Sequence, residues 1–216
     1  MNRIPEKETL LEIFQWRVKQ SSDDVAFKFN DHEMTYGEYD LKANQVANGF
    51  IKGGCLPNSR IAVLAKNSVV YAEILFGSLK SRTALVGLNW RLAGAEVVFI
   101  VNDSRSEILF VGKEFYPLVD QIKHEFNHVK QIIALDYKHD DWQSYDAWQN
   151  SFDDSEPGLV GCGDDDVIQL YTSGTTGLPK GVVHCHNTMF WAIATILATA
   201  EMREGDRYLV ALPMFH

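Results

Sequence analysis

Cysteine is scarce in this chain, with three in 216 residues: Cys55, Cys162 and Cys185. The number is odd and the spacing fits no disulfide framework, which suits a reducing, cytoplasmic setting. Long apolar runs are also missing. The longest, MFWAIATILATA over 189–200, is too short to span a bilayer. The opening stretch, MNRIPEKETLLEIFQW, is too charged to read as a signal peptide. Positive charge is in short supply: 20 Lys and Arg stand against 29 Asp and Glu, a formal net charge of -9. That balance argues against general binding to nucleic acid or anionic membrane. It does not argue against a phosphate ligand, which a few local groups can hold. No internal repeat or low-complexity tract is visible.

What is present is a globular composition, 46% hydrophobic and 23% charged, at a length for one large domain or two small ones. Short β-branched runs alternate with helical patterns. RIAVLA (60–65), TALVGLN (83–89), EILFVG (107–112) and VKQIIALD (129–136) read as strands. Helical patterns follow them at 69–80, 93–104 and 114–126, the last with Pro117 in its first turn, where proline is tolerated. Upstream, VAFKFNDHEMTYGEYD reads as a hairpin turning at Asn30-Asp31 and leading into a helix over 37–52. The alternation favours βαβ units and a mostly parallel, doubly wound α/β sheet. Three parts are expected: a first α/β subregion over 1–150, an acidic connection over 151–166, and a segment over 167–216 that begins the next subregion. The carboxylates of the connection, SFDDSEPGLVGCGDDD, read as solvated loop.

The most distinctive stretch is YTSGTTGLPKG, 171–181. It concentrates hydroxyls, glycines and one lysine between an apolar strand, VIQLY (167–171), and a second short strand containing VVH. Gly174 and Gly177 let backbone N–H groups approach an oxyanion, and Thr172, Ser173, Thr175 and Thr176 offer hydroxyl donors. Lys180 adds a cation, and Pro179 stiffens the exit. A polar hairpin turn would account for a generic Gly/Ser/Thr loop, but not for this ordered string. It is not a Walker-type loop, because Gly181 follows Lys180 and the loop does not open a helix.

TSGTTGLPKG resembles the phosphate-loop signature of the adenylate-forming, AMP-binding superfamily. MTYGEY (34–39), AVLAKNS (62–68), LNWRL (88–92), DDDVIQLY (164–171) and LPMFH (212–216) resemble that family's neighbouring blocks, in order. GVVHCH with LPMFH is most similar to the medium- and long-chain fatty-acyl-CoA synthetase branch. The resemblance implies the N-terminal part of that family's large α/β domain, with the phosphate loop between two strands. It implies an AMP-forming acid–thiol ligase of fatty acid and lipid metabolism. ATP, Mg2+ and coenzyme A enter, and the partners are small molecules. Thr172, Ser173, Gly174, Thr175, Thr176, Gly177 and Lys180 would bind ATP phosphates, and His216 would line the acyl site.

The resemblance further implies that adenine, ribose, magnesium and catalytic-lysine blocks lie further along a longer enzyme. These 216 residues alone are expected to be inactive and to be marginally soluble or self-associating. Alternatives stay open: an aryl or short-chain acyl-CoA ligase, an amino-acid adenylation domain, or a non-catalytic nucleotide-binding paralogue. Arg82, Gly87 and Asn58-Ser59 depart from the family pattern, which commonly has Gly, Pro and Gly-Asp there. His184 and His186, flanking Cys185, would share a strand face, but further zinc ligands are lacking nearby and no metal site is assigned. Phe190 and Trp191 are expected in the core, and no base pattern marks Cys185 as a nucleophile.

Overall fold

A computed structural model of the chain describes residues 9–172, 178–203 and 205–215. The chain opens with α1 (Leu10–Ser21), which the sequence reading did not separate from its charged surroundings. Thr9 caps it, and Glu12 returns a hydrogen bond to the cap. The hairpin follows as β1 (Val25–Phe29) and β2 (His32–Thr35), antiparallel, with Asn30 left-handed at φ 55° in the turn. Thr35 and Glu38 form a second capping box that starts α2 (Tyr36–Lys52). The MTYGEY block therefore does the local work of ending a strand and starting a helix.

Next come β3 (Arg60–Leu64), α3 (Val69–Ser81), β4 (Ala84–Gly87), α4 (Gly94–Asp103) and β5 (Ser106–Val111). After them stand α5 (Tyr116–Ile122), flanked by single 3-10 turns, β6 (Gln131–Ala134), β7 (Gln143–Ser144) and α6 (Tyr145–Gln149). The chain then makes β8 (Asp166–Thr172), β9 (Lys180–Cys185) and α7 (His186–Thr199). A seven-stranded sheet runs in the order β7-β6-β5-β3-β4-β8-β9, parallel except for the β8–β9 pair. This is the mostly parallel α/β fold that the alternating pattern predicts.

The central strands are apolar on both faces because helices cover both. Ile61, Val63, Ile108 and Phe110 pack toward α2, α3 and α6 with Phe50, Ile74 and Trp148. Ala62, Leu64, Leu109 and Val111 pack toward α4 and α5 with Val97, Ile100 and Val119. Gly77 lets α3 sit close on α2: a Cβ there would lie 2.3 Å from Val46 Cγ1.

Two departures from the family pattern have conformational reasons. Asn58 and Arg82 are left-handed, at φ 66° and 58°, where glycine would cost least. Arg82 sits at the C-cap of α3 and makes a two-pronged ion pair with Asp165, both contacts at 2.9 Å.

The acidic connection is correspondingly less solvated than expected. Asp165 is buried, and Glu156 pairs at 2.5 Å with the buried Lys80, which also meets Asp40 at 2.9 Å. Backbone carbonyls of Asp153, Asp154 and Ser155 accept from Asn44 and Asn48 of α2. The reason is charge: Lys80 in the last turn of α3 and Arg82 at its C-cap find counterions in the connection, Glu156 and Asp165.

No side chain caps helix α7. It starts at His186, and the carbonyls of Asp165 and Gly163 take the N–H groups of His186 and Asn187. Residues 207–211 pair with no strand among the described residues and are exposed. Trp191, expected in the core, is instead 69% exposed, because the outward face of α7 has no covering element among the described residues. No helix among the described residues is long and apolar enough to cross a membrane.

Gly77→Ala should lower stability by about 1–3 kcal/mol through overpacking against Val46, read as the chemical-denaturation midpoint. The Arg82–Asp165 pair predicts a pH signature. The Arg82 hydrogen bonds hold the Asp165 carboxyl below its usual range. A depressed carboxyl contributes stability above its unfolded value, near pH 4, and loses it as pH falls through the folded value. Asp165→Asn should therefore melt earlier than the parent at pH 7, and the gap should narrow below about pH 4.

Candidate functional site

The signature string sits on the β8–β9 hairpin. Thr172 is the last residue of β8 and Lys180 the first of β9, and they are direct cross-strand partners, as are Tyr171 and Gly181. Thr172 and Lys180 are exposed, Leu178 is 67% exposed, and Pro179 is half-buried. The second strand starts earlier than VVH because pairing with β8 draws Lys180 and Gly181 into the ladder. Ser173, Gly174, Thr175, Thr176 and Gly177 lie outside the described residues. The connection runs from strand to strand, and α7 begins only at His186. Any oxyanion held here would rely on loop N–H groups, hydroxyls and Lys180 rather than on a helix terminus.

Parallel pairing decides what stands near this hairpin. Gly87 of β4 pairs with Leu170 of β8, and Val63 of β3 with Gly87. β3, β4 and β8 therefore end at the same carboxyl edge of the sheet, the edge where open α/β sheets offer ligand crevices. AVLAKNS leaves β3 there, LNWRL leaves β4, and the signature string leaves β8.

The LPMFH block is fastened to the same edge. Asn67 Nδ2 donates to the Leu212 carbonyl at 2.8 Å, and Asn67 Oδ1 accepts from Met214 N–H at 2.8 Å. Phe215 is 3% exposed and meets Trp90 edge to face, with ring centres 6.4 Å apart. Gly87 makes this approach possible, since a Cβ on it would lie 2.9 Å from Phe215 Cα and 2.8 Å from Tyr71 Oη. His216 lies outside the described residues. Four blocks far apart in sequence thus meet at one edge, two of them joined by Asn67.

Other sequence candidates part from this edge. His186 is buried, and its Nδ1 accepts the Leu10 N–H at 3.2 Å, tying α7 to α1. Burial holds it below its usual value, so it is neutral at pH 7. His184 lies in β9 but His186 starts α7, so the two do not share a strand face. Cys55, Cys162 and Cys185 are all free thiols. Two cavities, of about 550 and 670 Å³, lie beside the start of α2 and between the β1–β2 turn and the start of α3. Neither is lined by Thr172 or Lys180. Cavity volume is therefore a poorer guide here than the convergence of the sequence blocks.

Comparison with known proteins bears on the family and the fold. A family model described as AMP-binding enzyme matches residues 14–216. A fatty acid–[acyl-carrier-protein] ligase, ScoC, of Streptomyces coeruleorubidus is 37% identical over the whole chain, which covers 41% of that protein. A long-chain-fatty-acid–CoA ligase of Mycobacterium tuberculosis is 34% identical over 86% of the chain, covering 36% of that protein. Among solved structures, the anthranilate CoA ligase AuaEII, crystallised with anthranoyl-AMP, superimposes with a TM-score of 0.90 at 25% identity, over 98% of this chain and 41% of that one. The chain thus spans about two-fifths of the length of the curated relatives it matches.

Asn67→Ala should free residues 212–214 by removing both bonds. Losing a backbone-directed pair of this kind should speed amide hydrogen exchange at Met214 by about tenfold. Exchange unchanged at Met214 would show that Asn67 does not hold the segment.

Proposed function

This chain belongs to the AMP-binding enzyme family, and on that premise we propose that it forms part of an ATP-dependent ligase that activates a fatty acid. In the first step a carboxylate oxygen attacks the α-phosphorus of MgATP. The bond from that phosphorus to the bridging oxygen of the β-phosphate breaks, and pyrophosphate leaves. In the second, a thiolate attacks the acyl carbon, the carbon–oxygen bond to AMP breaks, and a thioester forms. No general base is needed for the first step, because a fatty acid is ionised at neutral pH. What the step needs is positioning and neutralised phosphate charge.

The observation that carries this reading is the signature string on a hairpin at the carboxyl edge, beside the LPMFH segment. Thr172, Ser173, Thr175 and Thr176 would donate to β- and γ-phosphate oxygens, and Gly174 and Gly177 would present backbone N–H groups. Lys180 would supply countercharge, and His216 would line the acyl site. Among the described residues no three His, Cys, Asp or Glu side chains converge as a metal site. Mg2+ would enter with the ATP phosphates and neutralise part of their charge. Three free thiols fit work in a reducing cytoplasm.

Coenzyme A is the proposed thiol. A carrier protein is the second reading, favoured by the 37% identity to a ligase of that kind. An aromatic acid as substrate has support from the likeness to an anthranilate CoA ligase.

ATP–pyrophosphate exchange by the full-length protein, with a long-chain fatty acid, benzoate or anthranilate supplied in turn, tests the first step. Exchange that depends on the fatty acid is expected, and exchange with none of the acids would overturn the reading. Thioester formation with coenzyme A or with holo-acyl carrier protein separates the acceptors. Lys180→Ala should raise the KM for ATP about ten- to a hundredfold, as the loss of a charge-assisted phosphate contact would. The KM for the acid should change little.

A further inference from the structure

A polar chain crosses the sheet face that carries α4, running from the start of β8 through Tyr171 to the end of α4. Asp166 Oδ2 accepts from Arg60 Nη2 at 2.8 Å, and Arg60 Nε donates to Gln169 Oε1 at 2.8 Å. Gln169 Nε2 donates to Tyr171 Oη at 2.9 Å, and Tyr171 Oη donates to Asp103 Oδ2 at 2.6 Å. The direction is fixed throughout. A guanidinium can only donate, so the Gln169 oxygen turns to Arg60 and its nitrogen to the phenol. The phenol, having accepted, gives its proton to the carboxylate. Burial first, and the Asp103 hydrogen bond next, push the Tyr171 phenol up, so it keeps that proton at physiological pH.

Two members of this relay matter for geometry. Asp103 is the last residue of α4, an element packed into the core through Val97, Ile100 and Val101. Tyr171 immediately precedes Thr172. On the opposite strand, Gly181 pairs with Tyr171, and a Cβ there would lie 2.5 Å from Gln169 Nε2 and 2.9 Å from Tyr171 Cζ. The glycine that closes the signature string therefore leaves room for the relay.

We propose that Tyr171, held between Asp103 and Gln169, is a positioning residue that fixes the Thr172–Lys180 pair in place for the phosphates of ATP. It acts through its neighbours and touches no nucleotide. The inference rests on the reading of 172–180 as the phosphate-binding segment.

Steady-state kinetics on the full-length protein, with ATP and the acid varied separately, tests it beside thermal melting. Tyr171→Phe and Asp103→Ala should each raise the KM for ATP about three- to tenfold, the cost of one hydrogen bond. The KM for the acid and the melting temperature should move little. The double variant should be no worse than either single one, since both break the same link. Asp103→Asn, which keeps an acceptor, should restore most of the ATP affinity. Gly181→Ala should raise the ATP KM with the phenol intact.

A lowered melting temperature and a scaled kcat at unchanged ATP KM would mean the relay only supports the fold, and would overturn the proposal. Lys180→Ala is the reference. If it raises the ATP KM and Tyr171→Phe does not, the relay alone fails. If it too leaves the ATP KM unchanged, the phosphate-loop reading fails and the proposal falls with it.

Discussion

The parallel pairing of β4 with β8 is the constraint on which the site depends. It joins the strand before the signature string to a sheet made of much earlier residues, with Leu85, Val86 and Gly87 opposite Ile168, Gln169 and Leu170. Because the pairing is parallel, the string leaves the sheet where AVLAKNS and LNWRL also leave it. An antiparallel β8 would send the string to the opposite edge, away from Asn67 and Phe215. The register matters too. A one-residue slip would turn Gln169 and Tyr171 to the other face, away from α4, and bring Ile168 and Leu170 out of the cluster they pack in.

The charge distribution follows from the same architecture. In a chain poor in Lys and Arg, several cations are spent inside the fold. Lys80 is buried between Asp40 and Glu156, Arg82 meets Asp165, and Arg60 joins Asp166 to Gln169. Each of these cations reaches the connection or the strand that follows it. The contacts hold the start of β8 beside α3 and β3, so the acidic stretch locates the hairpin as well as linking it. Lys180, by contrast, is exposed at the mouth of the hairpin.

Much of the fold was legible in the sequence for a physical reason. β3, β4 and β5 are covered on both faces, so they read as continuous apolar runs between helical patterns. β7 and α6, with two and five residues, are too short to show a period. Residues 207–211 have a strand's composition, but a strand also needs a partner, which composition does not reveal. The signature string was legible because its chemistry is local. The contacts that orient it were not: Tyr171 and Asp103 are 68 residues apart, and Asn67 and Met214 are 147 apart. Single residues at such distances leave no periodic trace. Gly87, out of keeping with the resemblance, was a hint of the close approach of Phe215.

The distance between β4 and β8 also has a consequence in time. About eighty residues separate them, so at roughly 5–20 residues per second a ribosome delivers β8 some 4–16 s after β4. During that interval β3 to β7 can assemble, but the outer edge of β4 stands open, with its backbone groups unpaired beside apolar side chains. An uncovered edge of this kind invites pairing with the wrong strand. Faster elongation would shorten that exposure and slower synthesis would lengthen it, while a chaperone would cover the edge without changing the wait.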